Sequence, residues 1–154
     1  MKKITIGFTG TRKGFSDKQR EFVIDELNHV DDFQIFGEVT VVHGGCIGSD
    51  EDFHRLVKEH YPQFKVHVRP GYSSNNPNDL SNRFDYSDAD KIYPPKSHFS
   101  RNRDIVESSS MLWGTPPTEV NLNKGGTWYT INYGLKVDNC VLYCTPDGKR
   151  FFKD

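Results

Sequence analysis

Hydrophobic positions along the chain alternate between two periods. Ile4-Thr5-Ile6-Gly7-Phe8-Thr9 places apolar residues at every second position and is rich in β-branched types, which predicts a strand. Val23, Leu27 and Val30 then recur at i, i+4 and i+7, the buried stripe of a helix. Ser16 and Gln19 precede it at capping-box spacing. The unit repeats. Val39-Thr40-Val41-Val42-His43 reads as a second strand, and Phe53, Leu56, Val57 and His60 as a second helical stripe, with Ser49 and Asp52 again at capping-box spacing. Phe64 to Val68 predicts a third strand, closed by Arg69-Pro70. Further on, Asp104 to Ser108 suits a short helix and Met111-Leu112-Trp113 a strand. Trp128, Ile131 and Leu135 mark a last helix, and Val141 to Cys144 a last strand. Strand, loop and helix in repetition predict an α/β fold. The expected form is a Rossmann-like three-layer sandwich on a mostly parallel five-stranded sheet with right-handed crossovers.

Residues 71–99 interrupt this rhythm. Gly71 to Asp79 is turn chemistry throughout, and Pro94-Pro95 breaks the chain again. So long an irregular stretch inside a compact domain usually serves function. At 154 residues the whole chain, 1–154, is expected to form one domain.

Composition narrows the function classes. Lys plus Arg is 20 against 21 Asp plus Glu, a net charge of −1, which argues against a protein built to coat nucleic acid. Lysines such as Lys2, Lys3 and Lys58 are dispersed rather than striped. No apolar run approaches the roughly 20 residues of a membrane span. Met1 to Ile4 lead straight into the first strand with no apolar signal segment, so a cytoplasmic protein is expected. Three cysteines, Cys46, Cys140 and Cys144, read as reduced thiols. An extended strand would hold Cys140 and Cys144 about 13 Å apart, too far to bridge.

In open α/β sheets, ligands sit beyond the carboxyl ends of the strands. Three glycine segments fall there or open a helix: Gly10-Thr11-Arg12, Gly44-Gly45-Cys46-Ile47-Gly48-Ser49-Asp50, and Gly125-Gly126-Thr127. Glycine admits a close ligand, and free N–H groups at a helix start favour an anion. A phosphate-bearing ligand is therefore expected. Arg12 is a candidate phosphate partner, and Arg101 and Asn102 are candidates to hold a phosphate or sugar. No Gly-Lys-Ser/Thr P-loop and no Gly-x-Gly-x-x-Gly fingerprint is present. His43, Cys46, His54 and His60 match no zinc spacing, and no metal or cofactor is expected.

Taken in order, Thr9-Gly10-Thr11-Arg12, His43-Gly44-Gly45 with Gly48-Ser49-Asp50, Arg101-Asn102-Arg103 and Gly125-Gly126-Thr127-Trp128 resemble the SLOG superfamily. They look most like its small YpsA/YspA-type branch, over about residues 4–146. The resemblance implies a nucleotide or nucleotide-derived ligand, of phosphoribosyl or ADP-ribose type. It places that ligand at Gly10, Thr11, Arg12, Gly44, Gly45, Ser49, Asp50, Arg101, Asn102, Gly125, Gly126 and Thr127, with Arg12, Arg101 and the last glycine loop on phosphate, Asp50 or Asn102 on a ribose hydroxyl, and Tyr72, Tyr86 or Tyr93 from the irregular stretch stacked on a base. Relatives commonly dimerise through helices on the sheet, so a homo-oligomer is an implied partner state. The wider superfamily includes the Lonely Guy phosphoribohydrolases, which makes a nucleotide N-glycoside hydrolase or transferase the alternative. Those enzymes carry Pro-Gly-Gly-x-Gly-Thr-x-x-Glu. Here Lys124 precedes the glycines and Trp128-Tyr129-Thr130 follow Thr127, so the glutamate is missing at that place. Asp50 and Glu119, then Glu107, are the carboxylates that could replace it.

Overall fold

The computed structural model describes residues 2–32 and 36–154. The elements in chain order are β1 (Lys2–Gly10), α1 (Asp17–Asp32), β2 (Phe36–His43), α2 (Ser49–His60) and β3 (Lys65–Val68), then β4 (Gly71–Tyr72), β5 (Lys91–Ile92) and β6 (Lys96–Ser97). After these come α3 (His98–Glu107), β7 (Met111–Thr115), α4 (Gly126–Lys136), β8 (Cys140–Cys144) and β9 (Arg150–Lys153). The main sheet has seven strands in the order β5-β3-β2-β1-β7-β8-β9. Every neighbouring pair is parallel except β8 with β9. From β1 the chain steps outward through β2 to β3, then returns to the other side of β1 as β7 and continues to β8. The direction of winding therefore reverses between β1 and β7, and a crevice opens at their carboxyl ends.

Strand alternation divides the core between two faces. Ile4, Ile6 and Phe8 of β1, Val41 of β2 and Trp113 of β7 pack with Phe22, Val23 and Leu27 of α1 and Phe53 and Val57 of α2. Val42, Leu112 and Val141 face the other way, onto Ile105 and Val106 of α3 and Trp128 and Ile131 of α4. This is the expected three-layer α/β sandwich. The five strands read from the sequence are all present, and two edge strands were missed. β5 is only two residues long, and β9 is Arg-Phe-Phe-Lys, which shows no alternation of apolar and polar residues. Phe151 of β9 stacks on Tyr143, with ring centroids 4.8 Å apart.

The capping box of α1 forms as expected. The Ser16 N–H donates to Gln19 Oε1 (2.9 Å) and the Gln19 N–H to Ser16 Oγ (3.1 Å). The buried Gln19 amide also donates to the carbonyls of Pro116 (2.7 Å) and Cys144 (2.8 Å), just beyond β7 and at the end of β8. The second box does not form. Gly48 occupies the cap of α2 without a side-chain bond, and the Asp52 N–H donates to its carbonyl at 2.9 Å. Gly48 stands at φ 88°, and a Cβ there would collide with the Arg12 backbone. That close approach lets the Ser49 N–H donate to the Thr11 carbonyl (2.9 Å), joining two of the glycine loops. Helix α3 starts six residues earlier than its apolar pattern suggests, at His98 rather than Asp104.

The irregular stretch is real but pinned. Ser73, Asn76, Asp79 and Asp85 each accept, through a side-chain oxygen, the backbone N–H two residues on. These are the local turns that Ser, Asn and Asp favour. Asp90 accepts the Val66 N–H (2.7 Å) and leads into β5 beside β3. Among the described residues, no helix is long and apolar enough to cross a membrane.

Candidate functional site

A cleft of about 690 Å³ lies over the carboxyl ends of β1 and β7. Its size falls within the usual range for small-molecule sites. Gly10, Thr11 and Arg12 form one wall, Gly44, Cys46 and Asp50 the floor, and Arg101 and Asn102 of α3 the side. Lys124, Gly125, Gly126 and Thr127 close the far end. Two expected residues stand behind these walls. Gly45 packs against Tyr86 and Val68, and Ser49 lies directly behind Gly10.

The far end is built for an anion. Gly125 holds φ 87° and ψ 157°, a backbone state that essentially only glycine adopts, and has open space where a side chain would stand. Helix α4 begins immediately after it. The first N–H groups of a helix have no intrahelical partner, and its dipole attracts negative charge. A Cβ on Gly126 would lie 3.9 Å from Asn102 Nδ2, so a side-chain amide stands beside those N–H groups. Arg12 is exposed and makes no ion pair among the described residues.

Arg101 behaves differently from the expected phosphate grip. It is 5% exposed. Its Nε donates to Asn102 Oδ1 (2.7 Å), and its Nη1 donates to the carbonyls of Gly44 (2.5 Å) and Arg69 (3.1 Å). Its Nη2 donates to His98 Nδ1 (3.0 Å) and, more weakly, to Cys46 Sγ (3.8 Å). All five N–H groups of the guanidinium thus have protein acceptors. Arg101 gives the cleft positive charge and fixes its floor, with no free fork left for a ligand.

Asp50 is the carboxylate of the site. It is 6% exposed, in the first turn of α2. Its Oδ2 accepts the Cys46 N–H (3.2 Å), while Oδ1 has no partner. Burial raises its pKa to about 6, against the lowering effect of Arg101. A carboxylate titrating near 6 at a cleft wall can accept a hydroxyl proton or activate a water. Burial, then the Asp50 charge, pushes the Cys46 thiol up and keeps it protonated. Glu119 is exposed on the segment between β7 and α4 and does not line the cleft. Glu107 accepts the Tyr133 hydroxyl at the end of α3 (2.7 Å), also outside it.

Beneath the floor runs a buried chain of hydrogen bonds. The Gly45 N–H donates to His43 Nδ1 (2.9 Å), His43 Nε2 meets His54 Nδ1 (2.8 Å), and His54 Nε2 meets Asp88 Oδ1 (2.7 Å). The first bond makes His43 Nδ1 an acceptor, so both neutral rings carry their proton on Nε2 and each donates toward Asp88. Two of the histidines weighed in the sequence as zinc ligands, His43 and His54, are joined to each other, and their positions fix the glycine loop. Among the described residues, no group of three or more His, Cys, Asp or Glu could hold a metal.

None of the three tyrosines expected to stack lines the cleft. Tyr86 packs on Phe84, and Tyr93 lies under Arg69, whose guanidinium carbon is 3.7 Å from the ring centroid. The aromatic ring at the mouth is Phe99, 51% exposed and in contact with Tyr129 (centroids 4.5 Å apart). His98, Phe99 and the Ser73-Ser74-Asn75 turn were not singled out in the sequence. They sit in or beside the aperiodic stretch, and the early start of α3 brings His98 and Phe99 over the crevice.

No family model matches the chain, and no curated protein matches it. Among solved structures, it is similar to the molybdenum cofactor binding protein from the phototrophic bacterium Rippkaea orientalis. The TM-score is 0.65 at 17% sequence identity, over 94% of this chain and 78% of that one. At that identity the two proteins share a fold.

Proposed function

We propose that the protein binds a nucleotide or nucleotide-derived small molecule of SLOG type, with a phosphate at the start of α4. The observation that carries this reading is the convergence at the β1/β7 crevice. An unpaired Arg12, the Asn102 amide and the N-terminus of α4 behind Gly125 all face one cleft. Arg101 adds buried positive charge, and Phe99 offers an exposed ring for a planar base. The fold shared with a molybdenum cofactor binding protein supports a small-molecule ligand, and places molybdenum cofactor in the panel to be tested.

The test is retention. The protein is incubated with pooled nucleoside monophosphates, NAD, ADP-ribose, cyclic nucleotides and molybdenum cofactor. Bound and free material are separated by ultrafiltration and identified by mass spectrometry. An intact nucleotide retained by the protein is the expected result; retention of none of the nucleotides overturns the reading.

One observation favours a second reading, hydrolysis of a nucleotide N-glycoside. Asp50 lines the cleft, with its pKa raised to about 6 by burial. It would accept a proton from the attacking water. Free base and sugar phosphate from the wild type, and neither from Asp50→Asn, would establish it. No base release from any nucleotide in the panel would end it.

A further inference from the structure

A smaller chamber of about 270 Å³ opens off the cleft on the side away from α4. It shares Arg12, Gly44, Cys46, Ser73 and His98 with the cleft and adds Arg83, Asn82 and Asp79 from the irregular stretch. It shares none of the α4 residues. We infer that this chamber is a second anion subsite, formed by Arg12, Arg83 and His98, and that the ligand is a nucleotide carrying two separated anionic groups.

The inference rests on the nucleotide reading above and extends it. Three features of the chamber support it. First, its cations outnumber its carboxylate. Arg12 has no ion pair among the described residues. Arg83 donates one Nη2 hydrogen bond to the Gly71 carbonyl (3.0 Å) and makes no ion pair among the described residues, so an anion in the chamber would meet an uncompensated guanidinium charge. Second, the one carboxylate among the lining residues, Asp79, accepts the Ser81 N–H (3.0 Å), and its single negative charge leaves the two arginines in excess. Third, His98 is held neutral. Burial and the charges of Arg101, Arg12 and Arg83 lower its pKa, opposed by Asp79. Its Nδ1 accepts from Arg101, so its proton lies on Nε2, a further donor. The volume falls below the roughly 300 Å³ of a whole small-molecule site, so the chamber suits a charged group rather than a second nucleotide.

Calorimetric titration can compare the four nucleoside 5′-monophosphates with the matching 5′-diphosphates and 3′,5′-bisphosphates. For the base that binds, one two-anion series is expected to bind at least tenfold tighter than the monophosphate. Arg83→Gln, which keeps a donor for Gly71, should bring that ratio close to one. In NMR, the His98 titration should move upward when the two-anion probe binds, because the anion offsets the neighbouring cations. If the monophosphate binds and no second anionic group improves it, the subsite is refuted and the nucleotide reading stands. If Arg83→Gln weakens mono- and two-anion probes equally, Arg83 acts through the fold, and the subsite is likewise refuted. If no monophosphate and no two-anion probe binds, the nucleotide reading itself fails and takes the subsite with it.

Discussion

Asp50 and His43 sit a few residues apart and titrate in opposite senses. Burial raises Asp50 to about 6, so between its ordinary 3.8 and 6 the folded chain holds a proton that the unfolded chain releases. That part of the stability is complete at low pH and is lost as pH rises through 6. His43 is pushed well below 6.5, first by burial and then by His54 and Arg101. Below 6.5 the unfolded chain takes a proton that the folded chain refuses, so this part is lost as pH falls. Asp50→Asn removes the first effect and leaves the second. The variant should be more stable than wild type above pH 7, by up to about 3 kcal/mol. The gain should vanish below pH 4, and between pH 4 and 6 its stability should climb more steeply than that of the wild type. Urea unfolding at four pH values checks this, and equal curves would show that folding does not shift the Asp50 pKa. Arg101→Ala gives the opposite outcome. It strands the carbonyls of Gly44 and Arg69, so a loss of at least about 2 kcal/mol is expected in thermal unfolding before any question of affinity arises.

At the scale of elements, the start of α4 isolates backbone geometry from packing. Gly125→Ala meets no neighbour, yet it forces a side chain into a backbone region reserved for glycine, at a cost of about 1–3 kcal/mol. It should lower both thermal stability and nucleotide affinity, whereas a change confined to stability would mean that the helix N-terminus holds no anion. The elements that were legible in the sequence share one property: their local pattern and their burial agree. β1, β2 and β8 alternate, and α1 and α4 carry stripes, because each presents a regular face to one core. Where that regularity fails, so did the reading. His98-Phe99-Ser100 open α3 with no apolar stripe, since that turn faces the cleft rather than the sheet. Ser49 and Asp52 have the letters of a capping box, but the Gly48–Arg12 contact sets that helix start. Most of the glycine-loop residues could be named from sequence because they lie where strands end. Arg83 could not, because only tertiary contacts lift it from the irregular stretch to the site.

For the whole molecule, charge balance and charge placement tell different stories. A net charge of −1 gives no long-range attraction for anions, while Arg12, Lys13, Arg101 and Lys124 all line one cleft. Attraction should therefore be local and short-ranged. Raising salt from 50 to 500 mM, which cuts the screening length from roughly 14 to 4 Å, should weaken nucleotide binding by about tenfold. Salt-independent affinity would point to contacts made without charge. The reversal of winding that creates the crevice also divides the sheet into two sequence halves, which could in principle assemble one after the other. Gln19 ties them together. Its amide reaches from the first turn of α1 to the carbonyls of Pro116 and Cys144, so the earliest helix is completed only by chain that follows more than 90 residues later. The molecule should therefore melt as one cooperative unit, and a nascent chain that has not yet produced β7 and β8 has no finished half to fall back on.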